Sequence, residues 1–167
     1  MGAVHQIGVL ADTHVTERRH VVPEAALRVF EDAAVELILH AGDLSILAVL
    51  RTLEAYAPVE AVQGNVETPE VVAALPLKRE LVIGGCVIGM IHDLGQRQHY
   101  ARNARREFPT ARVVVFGHSH IPLLEERAGL LLLNPGSATD RRRQPACSVA
   151  LLTVQDGVPT ARLLPLP

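Results

Sequence analysis

Two aspartates, one asparagine and four histidines recur along the sequence in five short motifs, each in the wake of an apolar run. The motifs are Asp12-Thr13-His14, Gly42-Asp43, Gly64-Asn65, His92 and Gly117-His118-Ser119-His120. Carboxylate and amide oxygens are hard ligands and imidazole nitrogen is borderline, so the set suits a pair of divalent cations that activates water against a phosphorus centre. Asp12 and His14 stand two residues apart. In extended backbone that spacing points both side chains to one side, where they can grip a single ion. His118 and His120 repeat the spacing, and a turn there sends them to one ion or to neighbouring ones. Asp43 offers two carboxylate oxygens with only Gly42 before it, which makes it the natural bridge between ions about 3.5–4 Å apart.

Asn65 binds a metal through a neutral amide oxygen. Two divalent ions, less two aspartates and one hydroxide, leave about one positive charge, which suits a phosphodiester monoanion. Each motif alone has a plainer reading. Asp-x-His is often a turn or cap, Gly-Asp and Gly-Asn are ordinary turn dipeptides, and a lone His92 is more often a satisfied core histidine. All five in this order, each after a strand, favour the metal reading.

The elements that must position these groups are legible in outline. Apolar runs at residues 6–10, 37–39 and 59–62 read as strands, separated by a helix at 23–33 and another carrying Leu47, Leu50 and Leu53. Pro23 suits a first helical turn, Ser45 can cap the second helix, and Thr68-Pro69-Glu70 begins a short third. After that the pattern changes. Runs at 80–83 and 86–91 are split by Gly84-Gly85, a hairpin signal, and one more helix spans about 96–108 before Pro109. Strands follow at 113–116, 123–126, 130–134, 147–154 and 160–164, with Asp156-Gly157 as a turn. A βαβα region followed by hairpins predicts a mixed sheet system with helices outside. No repeat or linker is visible, so residues 1–167 read as one domain.

Composition narrows the class. With 49% hydrophobic and 20% charged residues in 167, the chain is an ordered globular one with a sizeable core. A net charge of −2 provides no polyanion-binding field, which argues against duplex nucleic acid as a partner. Cys86 and Cys147 lie far apart outside any CxxC pattern and read as buried thiols in a reducing compartment. No signal peptide or bilayer-length apolar stretch is visible, so the expectation is a cytoplasmic protein without membrane contact, open to homo-oligomerisation.

The series of motifs resembles the calcineurin-like metallophosphoesterase superfamily, and within it the small single-domain phosphodiesterase branch (YfcE-type). The resemblance runs from residue 7 to about residue 138 and includes Asn134-Pro135-Gly136-Ser137. It implies an α/β fold of four layers, a two-sheet αββα sandwich. It also implies a dinuclear centre that often takes manganese, with zinc, nickel, iron or magnesium as alternatives. By that likeness Asp12, His14, Asp43 and His120 hold the first ion, and Asp43, Asn65, His92 and His118 the second. Asp43, Asn65 and His92 carry the catalysis, in which a hydroxide bridging the ions hydrolyses a small phosphodiester. The same centre also serves phosphomonoesterases and nucleotide pyrophosphohydrolases. A retromer subunit of this fold is instead a protein-binding scaffold with a degraded metal site, whereas here every matched position is filled.

The sequence also departs from the family. Many members have Gly-Asn-His-Glu, whose histidine assists the leaving group; here the text is Gly64-Asn65-Val66-Glu67, and Val66 cannot transfer a proton. Asp93 stands where the branch usually has glycine, and reads as a turn residue or as a partner that orients His92. His40 reads equally as a support behind the ligands or as a buried strand-end histidine. Arg97, Arg102, Arg105 and Arg106 read as a solvated helix face, and His5, His20 and His99 have no evident partner. Asn65 is a candidate substrate contact, and so is Arg141, the first of three consecutive arginines that could reach a substrate phosphate.

Overall fold

The computed structural model describes residues 2–167. The chain begins as a parallel β-α unit repeated: β1 (Val4–Leu10), α1 (Glu24–Asp32), β2 (Leu37–His40), α2 (Ala48–Glu54) and β3 (Val59–Ala61). A short α3 (Pro69–Ala74) leads to the hairpin β4 (Lys78–Ile83) and β5 (Cys86–Ile91), turned at Gly84-Gly85. Next come α4 (Tyr100–Glu107), β6 (Val113–Val115), β7 (Leu123–Arg127) and β8 (Leu130–Asn134). The hairpin β9 (Ser148–Gln155) and β10 (Val158–Pro165) closes the chain.

These strands form two five-stranded sheets, ordered β10-β9-β1-β2-β3 and β4-β5-β6-β8-β7. In the first, β1, β2 and β3 run parallel while β9 returns antiparallel beside β1. In the second, β5, β6 and β8 run parallel. Alternation sorts the side chains by layer. Ile7, Val9 and Leu39 meet Ile88, Met90, Val113 and Val115 between the sheets. Leu10, Ile38 and Leu151 face outward under Phe30, Leu27 and Leu53 of the first two helices. Val114, Phe116 and Leu132 pack beneath Ala104 and Phe108 on the far side. The result is the expected four-layer αββα sandwich, and among the described residues no helix is long and apolar enough to cross a membrane.

Local details differ from the sequence reading for identifiable reasons. Pro23 is extended (φ −63°, ψ 136°) and caps α1 rather than entering it. Ser45 is no helix cap: its backbone is left-handed, its Oγ donates to the Val66 carbonyl at 3.1 Å, and α2 begins only at Ala48. Tertiary bonding to the Asn65 loop takes precedence over capping. The helix expected over 96–108 is a 3-10 turn (Arg97–His99) followed by α4, since His99 leaves helical geometry at φ −111°, ψ 1°. Arg105 spans back to the carbonyls of Pro109 and Ala111, and His5 does have a partner, the Glu36 carboxylate. Cys86 is buried, but Cys147 is only half-buried, and both thiols are free.

Candidate metal centre

All six parallel strands deliver their carboxyl ends to one rim of the sandwich, where α/β proteins characteristically bind ligands. Asp12 and His14 follow β1, Asp43 follows β2, Asn65 follows β3, His92 follows β5, and His118 and His120 follow β6. The sheet ladders run on into these loops. Asp12 N–H donates to Gly42 O (3.0 Å), His14 N–H to Asp43 O (2.9 Å), and Gly117 N–H to His92 O (2.9 Å). Two bonds then join one sheet's loops to the other's: His118 N–H to the Asp12 carboxylate (3.0 Å) and His92 Nδ1 to Ala41 O (2.7 Å).

The turns that aim the side chains are not extended. Asp12, His14, Asp43, His118 and His120 all have positive φ, between 44° and 70°. The convergence of Asp12 with His14, and of His118 with His120, therefore comes from left-handed turns and not from the alternation of a strand. Left-handed backbone at a non-glycine residue costs on the order of 1–3 kcal/mol and persists where surrounding structure holds it. Five such residues stand together on this one rim. The glycines ahead of the ligands serve close approach. A Cβ on Gly42 would lie 2.6 Å from His92 Nδ1, and one on Gly64 would lie 2.1 Å from Asp43 Oδ1.

The seven side chains come together as two adjoining groups. In the first, His14 Nε2 is 3.2 Å from His120 Nε2, which is 3.6 Å from Asp12 Oδ1. In the second, Asn65 Oδ1 is 3.1 Å from both His92 Nε2 and His118 Nδ1. Asp43 Oδ2 lies between them, 3.5 Å from His14 Nε2 and 3.3 Å from His92 Nε2. Its other oxygen is already committed, accepting the N–H groups of Asn65 (2.7 Å) and Val66 (2.9 Å). Only one Asp43 oxygen is free to bridge, not the two that the sequence suggested. His118 presents Nδ1 where His14, His92 and His120 present Nε2.

These contacts fit metal ions. Bonds of about 2.0–2.2 Å put two ligands of one ion roughly 2.9–3.6 Å apart, close to the separations seen. The hydrogen bonding points the same way. His92 gives its Nδ1 proton to Ala41 O, so in a neutral ring Nε2 turns a lone pair toward Asn65 Oδ1, another acceptor. His120 does likewise, with Nδ1 on Asp140 O (2.7 Å) and Nε2 facing the His14 nitrogen. A divalent ion would accommodate acceptors turned toward one another in this way. Burial, opposed by the His92 ring, pushes the Asp12 carboxyl up to about 7, while burial lowers His14 and His120. At Asp43 burial is outweighed by the His92 ring and the Val66 N–H, which hold its carboxyl low, and His92 is raised in turn by Asp43 and Asp12 against its own burial. Asp12, Asp43, His92 and His120 are buried and His14 half-buried, while Asn65 and His118 are exposed, so the site opens on their side.

Several side chains support these loops from behind. Glu67 accepts N–H bonds from Gly64 (2.7 Å), Asp43 (2.8 Å), Leu44 (3.3 Å) and Ser45 (2.7 Å), which ties the Asp43 loop to the Asn65 loop. Ser137 Oγ donates to Asp12 O (2.7 Å) and Thr139 Oγ1 to Thr13 O (2.8 Å), so the loop after β8 backs the first motif. Residue type alone does not disclose that role for the Asn-Pro-Gly-Ser stretch, because it depends on β8 lying beside β6. His40 is both buried and a support: Gly42 N–H donates to its Nδ1 and its Nε2 pairs with Thr13 Oγ1. Burial drives its pKa down to about 3, so the ring stays neutral. Asp93 closes a turn onto Gly95 N–H (2.7 Å), with its other oxygen 3.8 Å from His118 Nε2; it does not touch His92. Arg141 turns away to Gln144 O, while Arg142 lines the cavity beside His14.

A family model, the calcineurin-like phosphoesterase superfamily domain, matches residues 6–157. The chain belongs to that superfamily. It is 40% identical to a probable metallophosphoesterase of Methanothermobacter thermautotrophicus over 139 residues, covering 80% of this chain and 77% of the relative. It is 30% identical to a phosphodiesterase of Methanocaldococcus jannaschii, covering 78% of this chain and 82% of that protein. Vps29 of Entamoeba histolytica, in a structure with zinc, superposes with a TM-score of 0.75 at 24% identity over 96% of this chain and 98% of its own, a likeness of fold alone.

Proposed function

We propose that this member of the superfamily is a phosphodiesterase that works with two divalent ions, with manganese the first choice by its likeness to the superfamily; the mixed oxygen and imidazole donors suit a first-row divalent metal. The observation that carries the reading is Asp43 Oδ2, poised within 3.5 Å of a nitrogen from each group while Oδ1 is tied to backbone. Asp12, His14 and His120 would hold one ion, Asn65, His92 and His118 the other, and Asp43 both. When bound, the pair would supply Lewis acidity to the phosphoryl oxygens and lower the pKa of the attacking water.

The chain's own residues do the rest. Ala41 O and Asp140 O fix the tautomers of His92 and His120, so that each presents a lone pair inward. Exposed Asn65 borders the opening and is positioned to orient a phosphoryl oxygen. Val66 is 49% exposed on the cavity wall beside His14 and Ser45 and has no proton to give. The charge left after two aspartates favours a monoanionic diester over a dianionic monoester. Similarity to a named phosphodiesterase supports the same choice.

The experiment is manganese reconstitution with elemental analysis, followed by rates on bis(p-nitrophenyl) phosphate and p-nitrophenyl phosphate. Two equivalents of metal and faster diester hydrolysis are expected. A stoichiometry that never exceeds one under saturating metal would overturn the dinuclear centre, and faster monoester hydrolysis would overturn the diester preference.

A further inference from the structure

Two cavities of opposite character flank the ligand groups. One, of about 240 Å³, has His14 in its wall together with Arg19, His20, Val66, Asp140 and Arg142, so that two guanidinium groups stand against one carboxylate. The other, of about 440 Å³, borders Asn65, His92 and His118 and carries Leu77, Ile91 and Asp93, with no lysine or arginine. A phosphorus centre held across both groups would therefore have one ester arm in a cationic cavity and the other against an apolar wall.

The two guanidinium groups are free for a ligand. Among the described residues no carboxylate lies within ion-pair distance of either Arg19 or Arg142, and the hydrogen bonds of both residues are made by their backbone. Both belong to loops held by local hydrogen bonds. Thr16 Oγ1 accepts Arg19 N–H (3.0 Å), and Thr16 N–H donates to Arg19 O (2.8 Å), so the segment closes as a turn. Arg142 has a left-handed backbone (φ 49°) with its N–H on Asp140 Oδ1 (3.1 Å), and Asp140 O in turn holds His120. A strained residue kept in place beside the site is grounds for a functional reading.

We infer that Arg19 and Arg142 form a subsite for a second anionic group, a phosphate or carboxylate, on one arm of the diester, while the Leu77 and Ile91 wall takes an uncharged apolar arm. This rests on the phosphodiesterase reading and specifies its substrate class. Guanidinium pairs with such oxyanions in charge-assisted, often bidentate geometry. A substrate lacking the anion leaves the arginines solvated, so discrimination comes from the ion pairs that the anionic arm alone can form.

The test compares p-nitrophenyl 3-phosphonopropyl phosphate with p-nitrophenyl propyl phosphate, which share a leaving group and an arm length. The manganese-loaded protein should favour the phosphonate by about tenfold or more in kcat/KM, the worth of one charge-assisted bond. That ratio should fall toward one in Arg142→Ala and further in Arg19→Ala/Arg142→Ala. A merely structural role for Arg142 would slow both substrates together and leave the ratio intact, which would overturn the proposal, as would a ratio of one in the unaltered protein. Calorimetric titration with propane-1,3-diphosphonate against propylphosphonate gives a second readout. If neither diester is hydrolysed, the phosphodiesterase reading fails, while a diphosphonate preference abolished by Arg142→Ala still upholds the subsite, and equal binding of both phosphonates refutes it.

Discussion

Glu67 touches no candidate metal-binding atom, yet its replacement should loosen the whole second half of the site. Its carboxylate accepts four backbone N–H groups, three of them at 2.7–2.8 Å, from the two loops that carry Asp43 and Asn65. A hydrogen bond to a charged group contributes about 1.5–3 kcal/mol, and an abandoned buried donor costs about 1–3 kcal/mol. Glu67 is half-buried, so water can reach some of the donors, and the three strong bonds together reduce to a loss of about 2–4 kcal/mol in Glu67→Ala. For a chain of this size that corresponds to a fall in Tm of about 4–16 °C. Glu67→Gln keeps one carbonyl acceptor but turns an NH2 toward the Ser45 N–H or its neighbours, and should fall between. Partners that orient ligands from behind typically affect metal affinity by about 10–100-fold, so manganese should bind correspondingly more weakly to Glu67→Ala. The assay is differential scanning calorimetry of the metal-free proteins, then titration with manganese. A Glu67→Ala protein that melts within about 1 °C of the parent and binds manganese equally well would refute the clamp.

Asp43→Ala should release both ions, since Oδ2 faces both groups, whereas Asn65→Ala should weaken one; equal metal content and equal residual activity in the two would contradict the bridge. With Val66 on the cavity wall and no acid in its place, log rate should fall steeply with leaving-group pKa, and Val66→His should flatten the slope. A flat line for the unaltered protein, with chemistry rate-limiting, would mean another acid acts there. Ser137→Ala strips a hydroxyl from Asp12 O and from the N–H groups of Thr139 and Asp140, and should destabilise the fold by about 1–3 kcal/mol in urea unfolding; a loss under a few tenths would remove Ser137 from the support of the first motif.

What the amino-acid order determined by itself was chemical type and sequence of delivery. Asp12, His14, Asp43, Asn65, His92, His118 and His120 each follow an apolar run, and short runs of β-branched and aliphatic residues between turn signals favour strands. Gly84-Gly85 turns its hairpin and Pro69 opens α3 for the same reason, that the preference resides in a few adjacent residues. Only the tertiary structure decided how the ligands aim. The left-handed turns at Asp12, His14, Asp43, His118 and His120 are unfavourable locally and are held by bonds to loops far away in sequence, as when His118 N–H reaches Asp12 across 106 residues. Ser45, an apt helix cap in isolation, bonds Val66 O instead because β3 brings that loop beside it. Glu67, Ser137 and the placing of Arg142 rather than Arg141 on the cavity wall were hidden for one physical cause. A backbone hydrogen bond or an unpaired guanidinium has no signature in residue type, and its partner is set by which strands lie side by side.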